Sequence, residues 1–253
     1  MEVISPNIFD ARVAALFSTK NLELNLGEKI KGLNLGFNTN EEQSVVSKNR
    51  ELLQAGLEGL PIISANQVHG DEIYIAERSD KDKKWSLEED TVGSADGLIT
   101  NQKELFLAIT LADCVGALIY DPANQAIGAI HSGWRGTKKK IVNKSIRVMN
   151  DMYRSEPSRL KVFITPSIRS CCYEVGAEVA SEFSEYSFAL ENVDGKYRLD
   201  LATIIVIDLL KAGVLEKNIE LSPLCTCCQK DLYSYRREGS ASGRMVAMIG
   251  LLE

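Results

Sequence analysis

Histidine is scarce in this chain. Among its 253 residues only His69 and His131 occur, too few for a polynuclear centre built from many imidazoles. An excess of positive charge is also missing: the formal net charge is −6, so no broad basic face is available for phosphate backbones and a nucleic-acid partner is not expected. Long apolar runs are absent as well. The longest, residues 105–112 and 201–207, fall far short of the roughly 20 residues that span a bilayer, so no membrane partner is expected. Met1-Glu2-Val3-Ile4 lacks the basic and apolar regions of a secretory signal, which makes the cytoplasm the expected compartment. No repeat, low-complexity tract or Pro/Gly linker divides the chain, so residues 1–253 read as one domain. No long exposed apolar face demands a second copy, and a monomer is expected.

What is present suits a globular enzyme: hydrophobic residues at 45% and charged residues at 25% are enough to bury a sizeable core. Thr39-Asn40-Glu41-Glu42 has the form of a capping box and opens a predicted helix carrying Val45, Val46, Leu52 and Leu53, with Gly56 at its end. Residues 61–64 and 72–77 read as strands around the polar segment Asn66-Gln67-Val68-His69-Gly70. Residues 77–90, rich in charge, read as a solvated excursion or flap. Three apolar runs, 105–111, 115–120 and 126–130, are predicted to form the centre of one sheet. A helix is predicted from Thr137, with Val142, Ile146, Met149 and Tyr153 on one face, stopping before Pro157. Further on, 161–165 reads as a strand, 176–186 as a helix, 200–213 as a helix capped by Asp200, and 244–252 as a closing strand. Strands and helices alternate without a strict βαβ rhythm, and short hairpin-like turns point to an α/β domain whose sheet is mixed rather than all-parallel.

Each histidine stands where an apolar run breaks into a glycine-containing motif: Gln67-Val68-His69-Gly70 and His131-Ser132-Gly133-Trp134-Arg135-Gly136. Ala112-Asp113-Cys114 interrupts a third run. Taken singly, each histidine is as readily a packed structural residue, and Cys114 a small buried apolar one. Jointly, His69, Cys114 and His131 make a three-ligand set of the kind catalytic zinc uses, with a fourth position left for water or substrate. Asp113 beside them is a candidate proton carrier or orienting carboxylate. Arg135, with Lys138-Lys139-Lys140 at the predicted helix start, offers an oxyanion cradle, although a solvated cationic face explains the lysines equally well.

The six cysteines, at 114, 171, 172, 225, 227 and 228, are clumped, and a core of this size needs no disulfide staples, so free thiols are expected. Cys225 and Cys228 give one CxxC without a matching second pair. Cys171-Cys172 is the available candidate for that pair in a structural zinc site, against the favoured reading that these thiols line the core behind the active site.

At these residues the chain resembles the YfiH/laccase-domain family nearly end to end. The resemblance is carried by Asn34-Leu35-Gly36, Gln67-Val68-His69-Gly70, Ala95-Asp96-Gly97-Leu98-Ile99-Thr100, Thr110-Leu111-Ala112-Asp113-Cys114, Tyr120-Asp121-Pro122, His131 through Thr137, Pro166-Ser167-Ile168, Cys171 through Gly176, and Ser234-Tyr235-Arg236-Arg237. It implies a fold of the layered α/β type and one zinc ion on His69, Cys114 and His131. It also implies phosphorolysis of adenosine, inosine, guanosine or methylthioadenosine to base and pentose 1-phosphate, with adenosine deaminase activity beside it. The purine nucleoside and phosphate are then the partners, Cys114, Asp113 and Arg135 the candidate catalytic residues, and Arg135, Asn34 and Gln67 the candidate binding residues. Two departures from the family pattern, Thr165 for glycine and Ser132 for alanine, leave the ligands untouched, and Thr165 is expected to narrow the adjacent pocket. Three other classes compete: a copper polyphenol oxidase, opposed by the histidine count; a thiol hydrolase with Cys114 as nucleophile and a histidine as base; and a binding protein with structural zinc.

Overall fold

The apolar runs become strands, and their alternation decides which side of a sheet each side chain meets. The computed structural model describes residues 3–23 and 29–252; Met1 and Glu2, part of the N-terminal reading, lie outside them. The strands are β1 (Val13–Phe17), β2 (Asn21–Glu23), β3 (Lys29–Lys31), β4 (Ile62–Ser64), β5 (Ile73–Ile75), β6 (Gly97–Thr100), β7 (Leu105–Leu111), β8 (Val115–Asp121), β9 (Ala126–Ser132), β10 (Lys161–Ile164), β11 (Glu174–Val175), β12 (Leu190–Val193), β13 (Lys196–Leu199), β14 (Ile219–Leu221) and β15 (Met245–Leu251). The helices are α1 (Gln43–Ala55), α2 (Trp134–Lys138), α3 (Ile141–Tyr153), α4 (Ala177–Ser181), α5 (Leu201–Lys211) and α6 (Tyr235–Glu238). None is long and apolar enough to cross a membrane.

Two mixed sheets dominate. One has the order β1-β15-β7-β4, with β4 parallel to β7; the other has the order β14-β10-β8-β9-β6-β5, with parallel pairs at both edges. Between them lie Leu107 and Ile109 of β7, Leu118 and Tyr120 of β8, Ile127 and Ala129 of β9, and Ala247 and Ile249 of β15. The alternate residues Ala117, Ile119 and Ile130 face outward onto Val142, Ile146 and Met149 of α3 and Ile204, Ile205 and Leu209 of α5. On the other outer side, Phe106, Ala108, Val246 and Met248 meet Leu53 of α1 and Trp85. The result is an α/β sandwich of four layers: helix, sheet, sheet, helices. A one-residue slip in β8 would exchange its two buried sets, so register is strongly specified.

Several expectations are corrected here. The runs 105–111, 115–120 and 126–130 do not share one sheet: β7 belongs to the four-stranded sheet, whereas β8 and β9 pair in the six-stranded one. The helix predicted from Thr137 is two helices, because Lys140 takes a left-handed conformation (φ +57°) that turns the chain before α3. The capping box at Thr39 does not form: Glu42 precedes α1 without a side-chain cap, and the Thr39 hydroxyl accepts from Asn34 and donates to Gly36 O. Residues 77–90 are not simply solvated, since Trp85 is fully buried with Arg50 stacked 4.8 Å above its ring. The segment 176–186 divides into α4 and a tighter turn, with Phe183 and Tyr186 buried. Asp200 does cap α5, accepting from the Thr203 N–H at 3.0 Å.

Candidate metal centre and its cavity

Because β7 and β8 lie in different sheets, residues 112–114 must carry the chain across the edge of the sandwich. Asp113 makes the corner with φ +88°, a costly conformation for a residue with a Cβ. Its neighbours hold it there: its carboxylate accepts from the Thr226 hydroxyl and the Arg236 N–H, both at 2.6 Å, and its carbonyl accepts from the Ile168 N–H at 2.9 Å. Cys114 follows, half-buried at the sheet edge. In the β8–β9 ladder Gly116 stands opposite His131, and alternation sets His131 on the inner face with Ile127 and Ala129. His69 comes from the loop after β4 at φ +58°.

The three donors converge, one from each of His69, Cys114 and His131, with their ligating atoms all within 4.8 Å of one another. The histidine rings lie 4.9 Å apart, centroid to centroid, and nearly perpendicular. Gly133 makes the approach possible: a Cβ there would sit 3.1 Å from the Cys114 sulfur and 3.2 Å from His69 Cδ2. Two imidazoles and a thiolate in this space fit a zinc-class ion and leave one tetrahedral position open.

Sequence reasoning missed the carboxylate that organises the centre. Asp96, just before β6, is buried and accepts from His131 Nδ1 at 2.8 Å and from the N–H groups of Val68 (3.2 Å), His69 (3.0 Å) and Gly70 (2.7 Å). It therefore sets the His131 ring, leaving Nε2 toward Cys114, and clamps the strained His69 loop. Asp113 was the residue expected in that role or as proton carrier. Both its oxygens are taken up by donors from the 226 and 236 loops, and it serves as their anchor. The Ala95-Asp96-Gly97 motif was the available signal for Asp96, but only the pairing of β6 with β9 brings it beneath His131.

Burial pushes the Cys114 thiol up, but the charge of His131 and hydrogen bonds from both histidines outweigh it and bring the thiol down to about 6. Burial opposes the charged form of His131, yet the Cys114 thiolate and Asp96 raise it to about 9. Asp96 itself, despite burial, is held below the usual carboxylate range by His131 and the Gly70 and Val68 N–H groups. Alkylation needs the thiolate, so in metal-free protein Cys114 should remain reactive down to about pH 6 rather than losing reactivity below its ordinary value of 9.0. Iodoacetamide labelling across pH, read by peptide mass at Cys114 with and without added zinc, checks this; zinc should suppress labelling at neutral and higher pH, and less as acid protonates the ligands.

The centre opens into a cavity of about 670 Å³, within the range of small-molecule sites. Aromatic side chains Phe37, Trp134, Tyr173 and Tyr235 line it, together with the guanidinium groups of Arg50, Arg135, Arg236 and Arg244. Arg50 donates to Leu35 O and Trp85 O, Arg236 to Cys172 O, and Arg244 to Ser242 O, Gly243 O and Asn38 O. Among the described residues, Arg135 has no oxygen partner; its guanidinium stacks 4.3 Å from the Trp134 ring, exposed at the cavity rim.

Other sequence candidates fare differently. Gln67 does line the cavity, but its amide pairs with Thr110 through three hydrogen bonds of 2.7–3.0 Å and so fastens the His69 loop to β7. Asn34 is corrected: it is buried away from the cavity lining, its amide bonded to Gly36, Thr39 and the Arg244 N–H. Lys138, Lys139 and Lys140 are not a cradle. They pair with Glu182, Asp71 and Glu185, because the break between α2 and α3 turns them outward. Thr165 does not narrow the cavity either. It is buried, and its hydroxyl accepts from the Gly116 N–H at 2.9 Å. Ser132 bonds Thr137 at 2.8 Å. Cys171 and Cys228 are exposed and Cys172 and Cys227 half-buried, so of the cysteines outside the centre only Cys225 is buried as a core-lining thiol would be.

A family model described as "Multi-copper polyphenol oxidoreductase laccase" matches residues 14–252. The chain is 32% identical over 250 residues to the purine nucleoside phosphorylase YlmD of Bacillus subtilis, covering 95% of this chain and 89% of that one. It is 35% identical over 223 residues to a purine nucleoside phosphorylase of Clostridium acetobutylicum, covering 86% of this chain and 87% of that one. Among solved structures, YlmD from Geobacillus stearothermophilus superposes with a TM-score of 0.88 at 30% identity, covering 98% of this chain and 94% of its own. The Bacillus licheniformis protein YfiH gives 0.87 at 30% identity, covering 94% and 92%.

Proposed function

The chain belongs to the multi-copper polyphenol oxidoreductase laccase family, and from that membership we propose that it is a zinc-dependent purine nucleoside phosphorylase acting on adenosine, inosine, guanosine or methylthioadenosine. The observation that carries the reading is the cavity in which His69, Cys114 and His131 stand beside four aromatic rings and Arg135, which has no oxygen partner among the described residues. The three donors would hold the ion, which when bound supplies Lewis acidity to a reacting oxygen. Phe37, Trp134, Tyr173 and Tyr235 offer faces on which a purine stacks, excluding water from the reacting bond. Arg135 holds phosphate by charge-assisted hydrogen bonds and aims an oxygen at C1′ of the ribose. As the bond from C1′ to the base loosens, positive charge grows on the sugar and the positioned phosphate anion meets it. The products are free base and pentose 1-phosphate. Hydrolytic deamination of adenosine, in which water replaces the C6 amino group, is proposed as a second activity of the same open site.

The oxidase named in the family's description would need a copper cluster rich in imidazole, which two histidines do not supply. A metal-free thiol hydrolase is favoured by one observation, the placing of the Cys114 sulfur against His131, whose charge lowers the thiol. One preparation separates the readings. Zinc-loaded protein given adenosine and phosphate should release adenine and ribose 1-phosphate, with inosine reporting deamination, and chelation should stop both. Base release by metal-stripped protein at the full rate would sink the zinc enzyme, and no nucleoside turnover by loaded protein would sink the phosphorylase.

Arg135→Ala should raise the KM for phosphate about ten- to a hundredfold, since a hydrogen bond to a charged group is worth about 1.5–3 kcal/mol. Arg135 is exposed, so the melting temperature should not move. Initial rates against phosphate at saturating nucleoside check it; an unchanged KM would remove Arg135 from the phosphate site.

A further inference from the structure

Outside the cavity, a second set of soft donors is assembled from two loops that lie far apart in sequence. The sulfurs of Cys171, Cys172, Cys225 and Cys228 all lie within 4.8 Å of one another. Cys228 is 3.7 Å from Cys171 and 3.4 Å from Cys172. A zinc ion about 2.3 Å from each of four sulfurs places neighbouring sulfurs about 3.8 Å apart, whereas a disulfide brings two to about 2.05 Å. The observed spacing is therefore that of ligands around one ion, with no pair bonded. Cys227, the remaining thiol of the region, falls outside the set.

The Gln229 N–H bonds Cys225 O at 3.0 Å and closes the turn that carries Cys225 and Cys228. Thiol-to-thiol hydrogen bonds are weak, and four thiolates without a cation would repel one another. A divalent ion resolves both problems and releases the thiol protons as it binds.

We propose that Cys171, Cys172, Cys225 and Cys228 form a closed four-thiolate site for one zinc-class divalent cation, separate from the His69–Cys114–His131 centre. The site is structural, since four protein ligands leave no position for substrate. Its task follows from what the two loops carry. The loops are already joined by a bridge between Ser167 and Cys225, and by Arg236 donating to Cys172 O. On one side they supply Ile168 and Tyr173 to the cavity wall; on the other, Thr226 to the Asp113 carboxylate and Tyr235 and Arg236 to the wall. The ion would lock this side of the cavity together and hold the strained corner before Cys114.

The test uses the full chain after incubation with zinc and desalting. Native protein should retain two zinc ions per chain, Cys114→Ala protein one, and Cys114→Ala protein that also carries Cys225→Ser and Cys228→Ser none. A second measurement needs no substitution: in native protein, zinc should protect Cys171, Cys172, Cys225 and Cys228 from alkylation until a chelator is added, as read by peptide mass. Cobalt(II) in the Cys114→Ala protein should give the intense visible bands of tetrahedral thiolate coordination. Zinc-free Cys114→Ala protein, ready alkylation of the four thiols in the presence of zinc, or a disulfide linking Cys172 to Cys228 in protein purified without reductant would each overturn the proposal. Because the readout is metal content and thiol protection, it stands or falls apart from nucleoside turnover.

Discussion

Cys114→Ala protein is expected to hold one metal ion fewer per chain than native protein and to lose about a thousandfold or more in phosphorolysis. The substitution leaves two imidazoles, and the one removed is the only donor of the three that carries a negative charge to offset the ion. Metal assistance is worth several kcal/mol of transition-state stabilisation, and each 1.36 kcal/mol is a factor of ten in rate. The fold should survive, because the side chain lost is small and half-buried and its removal costs about 1 kcal/mol. Metal analysis beside initial rates with adenosine and phosphate checks the expectation, with the variant's remaining ion attributed to the four-thiolate cluster. If the variant keeps the native metal content at full rate, the ligand set is wrong. If native protein stripped of metal keeps its rate while the variant is dead, Cys114 acts as a nucleophile instead.

Asp96→Asn is expected to weaken metal binding about ten- to a hundredfold, although Asp96 is not among the three donors. The carboxylate accepts four hydrogen bonds, three from the N–H groups of residues 68–70 and one from His131 Nδ1. An amide in its place offers one oxygen and turns an N–H₂ group against donors. Two consequences follow together: the His69 loop loses the clamp that holds its positive φ, and the His131 ring loses the partner that fixes its orientation. Breaking a buried network of this kind costs about 3–5 kcal/mol, so a fall in melting temperature should accompany the loss of affinity. Zinc titration with a competing chelator, run beside thermal unfolding of the metal-free protein, separates the two effects. Asp96→Glu, which keeps the charge and both acceptors, should recover part of the affinity; equal loss in both variants would mean that packing, not acceptance from His131, is what Asp96 contributes.

The structure distributes these roles in a way that local pattern partly foretells. Short apolar runs bounded by turns read as strands, and β7, β8, β9 and β15 were legible for that reason. Helix α3 showed its buried face through Val142, Ile146 and Met149, and α5 its cap through Asp200. The candidate metal triad was legible because two histidines and one cysteine stood at the breaks of apolar runs, and the structure brings their donor atoms together. The family motifs spanned most of the chain, and the fold and family they implied hold.

Other features had no local signature. That β7 and β8 belong to different sheets turns on a three-residue corner whose left-handed Asp113 is stabilised by Thr226 and Arg236, more than a hundred residues away. Trp85 sits inside a charged run, yet a buried arginine and the outer face of the four-stranded sheet cover it. Spacing could not tell the four thiols from core cysteines, because two loops far apart in sequence had to be joined at Ser167 and Cys225 first. Asp96 stood only within a family motif, with no local mark of its role, until β6 paired with β9. By itself the sequence determined which residues are chemically able to bind a metal, since that depends on side-chain type and on breaks in hydrophobic periodicity. Which carboxylate supports them, which cavity arginine has no oxygen partner among the described residues, and which cysteines meet were decided by tertiary structure alone, because hydrogen bonds and ligand sets are satisfied by neighbours in space, whatever their separation along the chain.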